Sequence, residues 1–153
     1  MRAIEIPGAG QLVLEHLVLD LNGTLSDRGR LIDGVAERIR LLGGDLRVHL
    51  LTADTFGTAA ELGAKLGIAV TRVATGDEKA SLVAALGGVA VAAVGNGRND
   101  EAMLRAAGLG IAVIGPEGAA ASALRAADIV CRSVTDALDL LLDDRLLAAT
   151  LRP

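Results

Sequence analysis

Four polar residues stand at or near the ends of apolar segments, where distant parts of a chain can meet. Asp20 interrupts the apolar run LVLDL, Thr52 ends a second apolar run, and Asp100 closes the sequence GNGRND. Lys79 lies near the start of a predicted helix. A carboxylate that attacks phosphorus needs charge neutralisation, donors for the phosphoryl oxygens and space for in-line approach. These groups predict phosphoryl transfer at Asp20, with a solvent-exposed strand residue as the alternative for Asp20 considered by itself.

The lysine among these four is unusual for this chain. Of the 15 basic residues, only Lys65 and Lys79 are lysines, so arginine is the ordinary cation here. A lysine offers a compact point charge, which suits a phosphoryl oxygen. The alternative is a solvated residue in the first turn of a helix, where a cation is mildly unfavourable against the helix dipole. The composition favours the functional interpretation.

The segment GNGRND reads as a turn between a buried strand and a helix. Gly95 and Gly97 permit a sharp turn and a close approach of the backbone to a ligand. Asn99 is either the cap of the next helix or a supporting polar group, and both interpretations stay open. Asp54 is predicted to cap a helix, whereas His16, His49 and Cys131 are predicted to be structural.

Strands and helices alternate along most of the chain. This alternation predicts right-handed βαβ units and a parallel sheet, with ligands bound beyond the carboxyl ends of the strands. The residues before it read as two short strands around Pro7–Gly10, which predicts an N-terminal β-hairpin. One α/β domain covering residues 1–153 is predicted. Its predicted strands are 14–21, 46–52, 68–73, 89–94, 109–114 and 129–131, and its predicted helices 34–42, 55–66, 78–86, 99–107, 117–126, 134–142 and 145–151.

The composition limits the classes of function. Hydrophobic residues make up 52% of 153 residues with a single aromatic, so the predicted core consists of aliphatic side chains between sheet and helices. The net charge of −4 has no basic block, which argues against nucleic acid as a partner. No apolar run approaches the length of a membrane span, and one cysteine excludes an internal disulfide. A cytoplasmic protein without a membrane partner is expected.

The four segments DLNGT, LLT, DEK and GNGRND resemble, in this order, the motifs of the haloacid dehalogenase (HAD) superfamily. DLNGTL with the GNGRND loop looks especially like the phosphorylation domain of P-type ATPases, in a soluble, stand-alone form. The resemblance implies a Rossmann-like three-layer sandwich with core strand order 3-2-1-4-5, an aspartyl-phosphate on Asp20 and Mg²⁺ as cofactor. It implies catalytic roles for Asp20, Asn22, Thr52 and Lys79, substrate contacts at Gly23, Thr24, Ala53 and Gly97, and metal contacts at Asp20, Asn22, Asn96 and Asp100.

Two residues depart from the family pattern. Asn22 stands where family phosphatases have the aspartate that protonates the leaving group and then activates water. An amide cannot transfer a proton, and losing such a group costs about 10²–10⁴-fold in rate. Asn96 stands where an aspartate usually contacts magnesium, so weaker metal binding is expected. The backbone carbonyl of Asn22 remains available to the metal.

The intervals between the motifs leave no room for the cap domain with which many family members enclose substrate. Residues 25–51 and 53–78 each suffice for about one strand and one helix, and Leu25–Asp33 is predicted to form a short hairpin. Capless relatives suggest closure of the site by neighbouring subunits in a homo-oligomer, or a large substrate. The expected substrate is a phosphorylated small molecule or a macromolecular phosphate. The first hypothesis is a slow phosphohydrolase or phosphotransferase; the second is a non-catalytic phosphoryl-binding or assembly module.

Overall fold

The computed structural model describes residues 1–53 and 58–153 and is built around a six-stranded parallel sheet. In chain order the core strands are β3 (His16–Asp20), β6 (Arg47–Thr52), β7 (Val70–Arg72), β8 (Val91–Gly95), β9 (Leu109–Val113) and β10 (Ile129–Cys131). Their order across the sheet is β10-β9-β8-β3-β6-β7. The predicted core order is therefore confirmed, with the short last strand added at one edge.

Helices cover both faces of this sheet, as the predicted three-layer sandwich requires. One layer contains α1, α2, α6 and α7, and the other contains α3, α4 and α5, because their buried residues fall into two separate apolar clusters. The helices span Val35–Leu42, Thr58–Leu66, Gly76–Ala85, Glu101–Ala106, Ala121–Ala126, Val134–Leu142 and Asp144–Leu151. Short 3₁₀ turns cover Gly88–Ala90 and Arg98–Asp100.

The side chains of β3 alternate between the two layers. Leu17 and Leu19 pack in the cluster of α1 and α6, whereas Val18 packs in the cluster of α3 and α4. Successive side chains of a strand point to opposite faces, so Asp20 shares the face of Val18. The nucleophile candidate therefore faces the layer that contains Lys79, in α3.

The N-terminal hairpin is confirmed, but the core strand predicted from residue 14 begins only at His16, because Leu14 ends the hairpin. β1 (Arg2–Ile6) pairs antiparallel with β2 (Gly10–Leu14), and β3 starts at His16. Exposed Glu15 separates them, because its N–H donates to Ala90 and its carbonyl accepts from Arg47. Glu15 is thus the residue at which the backbone stops pairing within the hairpin and begins to pair with neighbours of the sheet.

The interval after the first motif contains the small hairpin predicted for 25–33. Its strands β4 (Ser26–Asp27) and β5 (Arg30–Leu31) pair antiparallel, and helix α1 follows. The described parts of both motif intervals contain no cap domain. In residues 1–53 and 58–153, no helix has the length and apolar character needed to cross a bilayer.

Several helix starts among the described residues differ from the sequence-based bounds. The predicted cap at Asp54 or Thr55 lies outside the described residues, and α2 is described from Thr58. Helix α3 begins earlier than predicted, because the Thr75 hydroxyl accepts from the Glu78 N–H at 3.2 Å. The helix predicted from Glu117 starts only at Ala121, after a tight turn between Gly115 and Gly118.

Candidate active site

Lys79 joins two buried carboxylates at the carboxyl ends of the strands. Its ammonium donates to Asp20 Oδ1 and to Asp100 Oδ1, both at 2.7 Å. The relative exposure of the lysine is 1%, that of Asp20 is 6% and that of Asp100 is 0%. A buried lysine is tolerated when opposite charges surround it. The sequence-based expectation that these three residues meet is therefore fulfilled.

Burial and charge shift the proton affinities of this group. Burial raises the pKa of Asp20 to about 6, with a further rise from the like charge of Asp100 and a partial offset from Lys79. Burial alone would lower the pKa of Lys79, but the attraction of both carboxylates outweighs it, and this pKa is raised. Lys79 is thus held in its charged form beside a carboxylate that binds protons more tightly than usual.

Asp100 organises the loop after β8. Its Oδ2 accepts from the backbone N–H groups of Asn96 at 3.0 Å and Gly97 at 2.9 Å. The close return of this carboxylate requires Gly95, since a Cβ there would lie 2.6 Å from Asp100 Cγ. Both oxygens of Asp100, which the sequence suggested as a metal ligand, are therefore engaged by protein donors.

Three side-chain oxygen atoms lie close together at the DLNGT segment, and they belong to Asp20, Thr24 and Asn96. The hydroxyl of Thr24 lies 3.1 Å from Asp20 Oδ2 and 3.1 Å from Asn96 Oδ1, and it can give its single proton to only one of them. The amide nitrogen of Asn96 donates instead to the Gly118 carbonyl at 3.1 Å. This all-oxygen group suits a hard divalent cation with several water ligands. Within the described residues, no three His, Cys, Asp or Glu side chains could hold a metal, so carboxylates would be a minority of its ligands.

Asn22, which stands where family phosphatases have an aspartate, contacts the end of the second core strand. Its Nδ2 donates to Thr52 Oγ1 at 3.1 Å, with Thr52 buried and Asn22 exposed. The amide thus orients toward the hydroxyl that was predicted to hold a phosphoryl oxygen. It contributes a donor at this position.

A cavity of about 400 Å³ opens above these groups. Five predicted site residues line it, namely Asp20, Asn22, Ala53, Asn96 and Gly97. Four further residues complete the lining, namely Asn99, Glu117, Ala119 and Ala120. Lys79, Thr24 and Asp100 lie behind this lining, and Gly23 lines an adjoining recess of about 350 Å³. A larger groove of about 790 Å³ lies between α3 and α4, and Asn99 is the described residue that it shares with this cavity.

Glu117 is the functional candidate that sequence reasoning missed. Its position was assigned to the start of a helix, and no motif or strand end marked it. The two histidines, by contrast, are as predicted within the sheet: His16 Nδ1 lies 3.0 Å from His49 Nε2 on neighbouring strands. Burial and then the charge of His16 lower the pKa of His49, which keeps that ring neutral.

Known proteins resemble this chain in both sequence and fold. No family model matches it. The uncharacterized protein MJ0073 of Methanocaldococcus jannaschii is 52% identical over 62 residues, which cover 40% of this chain and 67% of that protein. A HAD superfamily (subfamily III A) hydrolase structure from Legionella pneumophila superposes with a TM-score of 0.68 at 20% identity, covering 90% of this chain and 87% of that one.

Two further structures extend the comparison. The 3-deoxy-D-manno-octulosonate 8-phosphate phosphatase of Moraxella catarrhalis, solved with magnesium and phosphate ions, has a TM-score of 0.68 at 21% identity and covers 91% of this chain and 94% of that one. A zinc-transporting P-type ATPase has a TM-score of 0.65 at 28% identity, covering 78% of this chain but 20% of the transporter. With the sheet order, these findings show that the chain has a HAD-type fold, without a cap domain in its described residues, and that it belongs to the same family as MJ0073.

Proposed function

We propose that this protein is a phosphohydrolase or phosphotransferase that forms an aspartyl-phosphate on Asp20. The observation that supports this most directly is that Asp20 lines an open cavity while it is bound to Lys79, which also binds Asp100. A nucleophile for phosphorus needs a fixed position and nearby positive charge, and Lys79 supplies both to Asp20. The hydrolase fold of the neighbours agrees with this class of reaction.

Each surrounding residue has a role in this proposal. Lys79 neutralises charge on the phosphoryl group, while Thr52 and Asn22 donate hydrogen bonds to its oxygens. Thr24 orients Asp20 through its Oδ2, and Asp100 fixes Lys79 and the backbone at Gly97. Ala53 and Gly97 line the cavity, and Gly23 lines the adjoining recess, so all three lie where substrate can contact them.

Magnesium fits the oxygen atoms available at this site. Asp20, Asn96 and the backbone carbonyl of Asn22 would hold it, with water completing its shell. A bound magnesium ion neutralises charge on the phosphoryl oxygens. Since Asn96 is uncharged and Asp100 is engaged elsewhere, binding weaker than at a site with more carboxylates is expected.

The substitution of asparagine at position 22 makes leaving-group chemistry important. Substrates whose leaving group needs no proton should react readily, and others should be slowed by about 10²–10⁴-fold relative to a site with an aspartate. The proposed substrate is a phosphorylated small molecule, by analogy with the octulosonate 8-phosphate phosphatases. A phosphate on a macromolecule is the other candidate, because no cap domain closes the cavity in the described residues.

The test is release of phosphate from p-nitrophenyl phosphate with magnesium, by the wild type, Asp20→Asn and Asp45→Asn. Asp45 is exposed in the turn before β6, far from the carboxyl ends of the strands, so its variant should match the wild type. Asp20→Asn should abolish both release and a trapped acyl-phosphate. Release that survives in Asp20→Asn would contradict the assignment of the nucleophile.

The second candidate is a non-catalytic phosphoryl-binding or assembly module. The amides at Asn22 and Asn96 favour it, because each replaces a carboxylate that the family chemistry uses. Beryllofluoride binding without turnover on a broad panel of phosphates would support it, as would a homo-oligomer whose neighbouring subunit covers the cavity. Phosphate release that depends on Asp20 would exclude it.

A further inference from the structure

The turn after β9 brings a carboxylate to the cavity that contains Asp20. Glu117 lines the 400 Å³ cavity together with Asp20 and Asn22, and it also lines the adjoining 350 Å³ recess with Asn22. It therefore stands with Asn22 where a substrate would pass from the buried phosphoryl position to the outside. This is the region in which a leaving group must receive its proton.

The turn is held firmly in this place. Gly115 and Gly118 exchange backbone hydrogen bonds of 3.2 and 2.9 Å, which leaves Pro116 and Glu117 at the tip. The side-chain amide of Asn96 donates to the Gly118 carbonyl at 3.1 Å, and the backbone carbonyl of Asn96 accepts from Ala120 at 2.9 Å. The loop after β8 thus fixes the turn that presents Glu117.

Glycines allow the turn to contact the first motif directly. Gly23 has φ +74°, and a Cβ there would lie 2.3 Å from Glu117 Oε2, where no atom fits. A Cβ on Gly115 would lie 2.5 Å from the Gly23 carbonyl oxygen. The carboxylate therefore covers the residue that follows Asn22 in the chain.

Glu117 is not committed to another interaction. Its side chain is exposed, and among the described residues it has neither a hydrogen bond nor an ion pair. Asp20 and Asp100, by contrast, both accept hydrogen bonds from Lys79. A carboxylate without a fixed partner can accept a proton from solvent and deliver it to a bound group.

We propose that Glu117 is the proton-transfer group of this site and carries out the task that Asn22 cannot. This inference rests on the proposed function. In the first step an Asp20 oxygen bonds to phosphorus, the bond from phosphorus to the leaving oxygen breaks, and that oxygen takes the proton of the Glu117 carboxyl. In the second step the Glu117 carboxylate takes a proton from water, the water oxygen bonds to phosphorus, and the bond to Asp20 breaks with release of phosphate.

The experiment compares two substrates in Glu117→Gln. Phenyl phosphate has a leaving group that needs a proton, whereas p-nitrophenyl phosphate has one that leaves largely without it. We expect kcat/KM to fall about 10²-fold for phenyl phosphate and only a few-fold for p-nitrophenyl phosphate, because only the first depends on proton transfer. Glu15→Gln is the matched control: Glu15 is exposed at the opposite end of β3, so both rates should be unchanged.

A second comparison separates proton transfer from a structural role. Asn22→Asp supplies a carboxylate within the same cavity, so Glu117→Gln in that background should cost less than about threefold on phenyl phosphate. Equal losses on both substrates, or no rescue by Asn22→Asp, would overturn the role of Glu117 while leaving Asp20 as the nucleophile. Absence of any phosphate release that depends on Asp20 would refute the proposed function and this inference together.

Discussion

At the residue scale, the site depends on one cation between two buried anions. Lys79 contacts Asp20 and Asp100 at equal distances of 2.7 Å, and the described part of the structure leaves none of their buried polar atoms unpaired. If one charged residue of such a buried group is removed, the charges that remain are buried in a low-dielectric environment without a partner of opposite sign. The same contacts that position Asp20, the proposed nucleophile, therefore also affect the stability of the fold.

Lys79→Met should lower the free energy of unfolding by about 3–5 kcal/mol, because two carboxylates would remain buried without a cation. Lys65→Met changes the other lysine, which is exposed in α2, and should have little effect. Urea unfolding at neutral pH measures both variants. A Lys79→Met variant as stable as Lys65→Met would contradict the electrostatic role assigned to this lysine.

The loss in free energy of unfolding caused by Lys79→Met should also depend on pH. The pKa of Asp20 is already raised to about 6, and loss of the lysine raises it further. A raised carboxyl pKa means that the folded state binds protons more tightly than the unfolded state, so stability is present at low pH and is lost as pH rises through the folded-state pKa. The difference from the wild type should therefore be smaller near about pH 5 than near about pH 8.

At the element scale, the ends of strands bring the site together, and this much follows from the sequence. Asp20 and Thr52 lie at the ends of predicted strands, and Lys79 lies near the start of the helix that follows the next strand. Parallel strands end at one edge of a sheet, where these residues can meet. Alternation along β3 then decides which helix layer Asp20 faces. The sheet order was predicted from the resemblance, and the N-terminal hairpin from the turn at Pro7–Gly10.

The position of Glu117 did not follow from the sequence. The stretch 117–126 is rich in alanine and reads as one helix, but the first four residues belong to a turn and an extended segment. The hydrogen bonds between Gly115 and Gly118 and those to Asn96 determine this conformation, and the latter join segments about twenty residues apart. Local propensity carries no information on such a tertiary contact.

Gly95 at the end of β8 offers a test at this scale. Gly95→Ala would place a Cβ 2.6 Å from Asp100 Cγ and should displace the carboxylate from the Asn96 and Gly97 N–H groups. We expect a loss of about 1–3 kcal/mol in stability and a larger relative loss of phosphate release. Gly44→Ala, in the turn after α1, has its nearest neighbour at 3.3 Å and should be close to neutral in both assays. Normal activity of Gly95→Ala would show that the close approach is dispensable.

At the scale of the whole molecule, the N- and C-terminal segments support each other away from the site. Arg2 in the hairpin donates to the Leu141 carbonyl at 2.6 Å and contacts Asp144 at 2.5 Å, and its side chain is only 12% exposed. Ile4, Ile6 and Leu147 join the same apolar cluster as α1 and α6. The hairpin leads into the start of β3, whereas the site lies at its end, so stability and chemistry can be separated.

Arg2→Met should therefore destabilise the protein without changing its reaction. Loss of the hydrogen bonds to Leu141 and Asp144 should cost about 1–3 kcal/mol, since the Leu141 carbonyl would be left without this donor in a partly buried place. Arg28→Met is the matched control, because Arg28 is 95% exposed and its ion pair with Asp27 is 4.0 Å long. Thermal unfolding should show a lower Tm for Arg2→Met alone, while kcat for p-nitrophenyl phosphate, measured well below that Tm, stays at the wild-type value. A reduced kcat in folded Arg2→Met would mean that the hairpin influences the strand ends, because β3 connects the two.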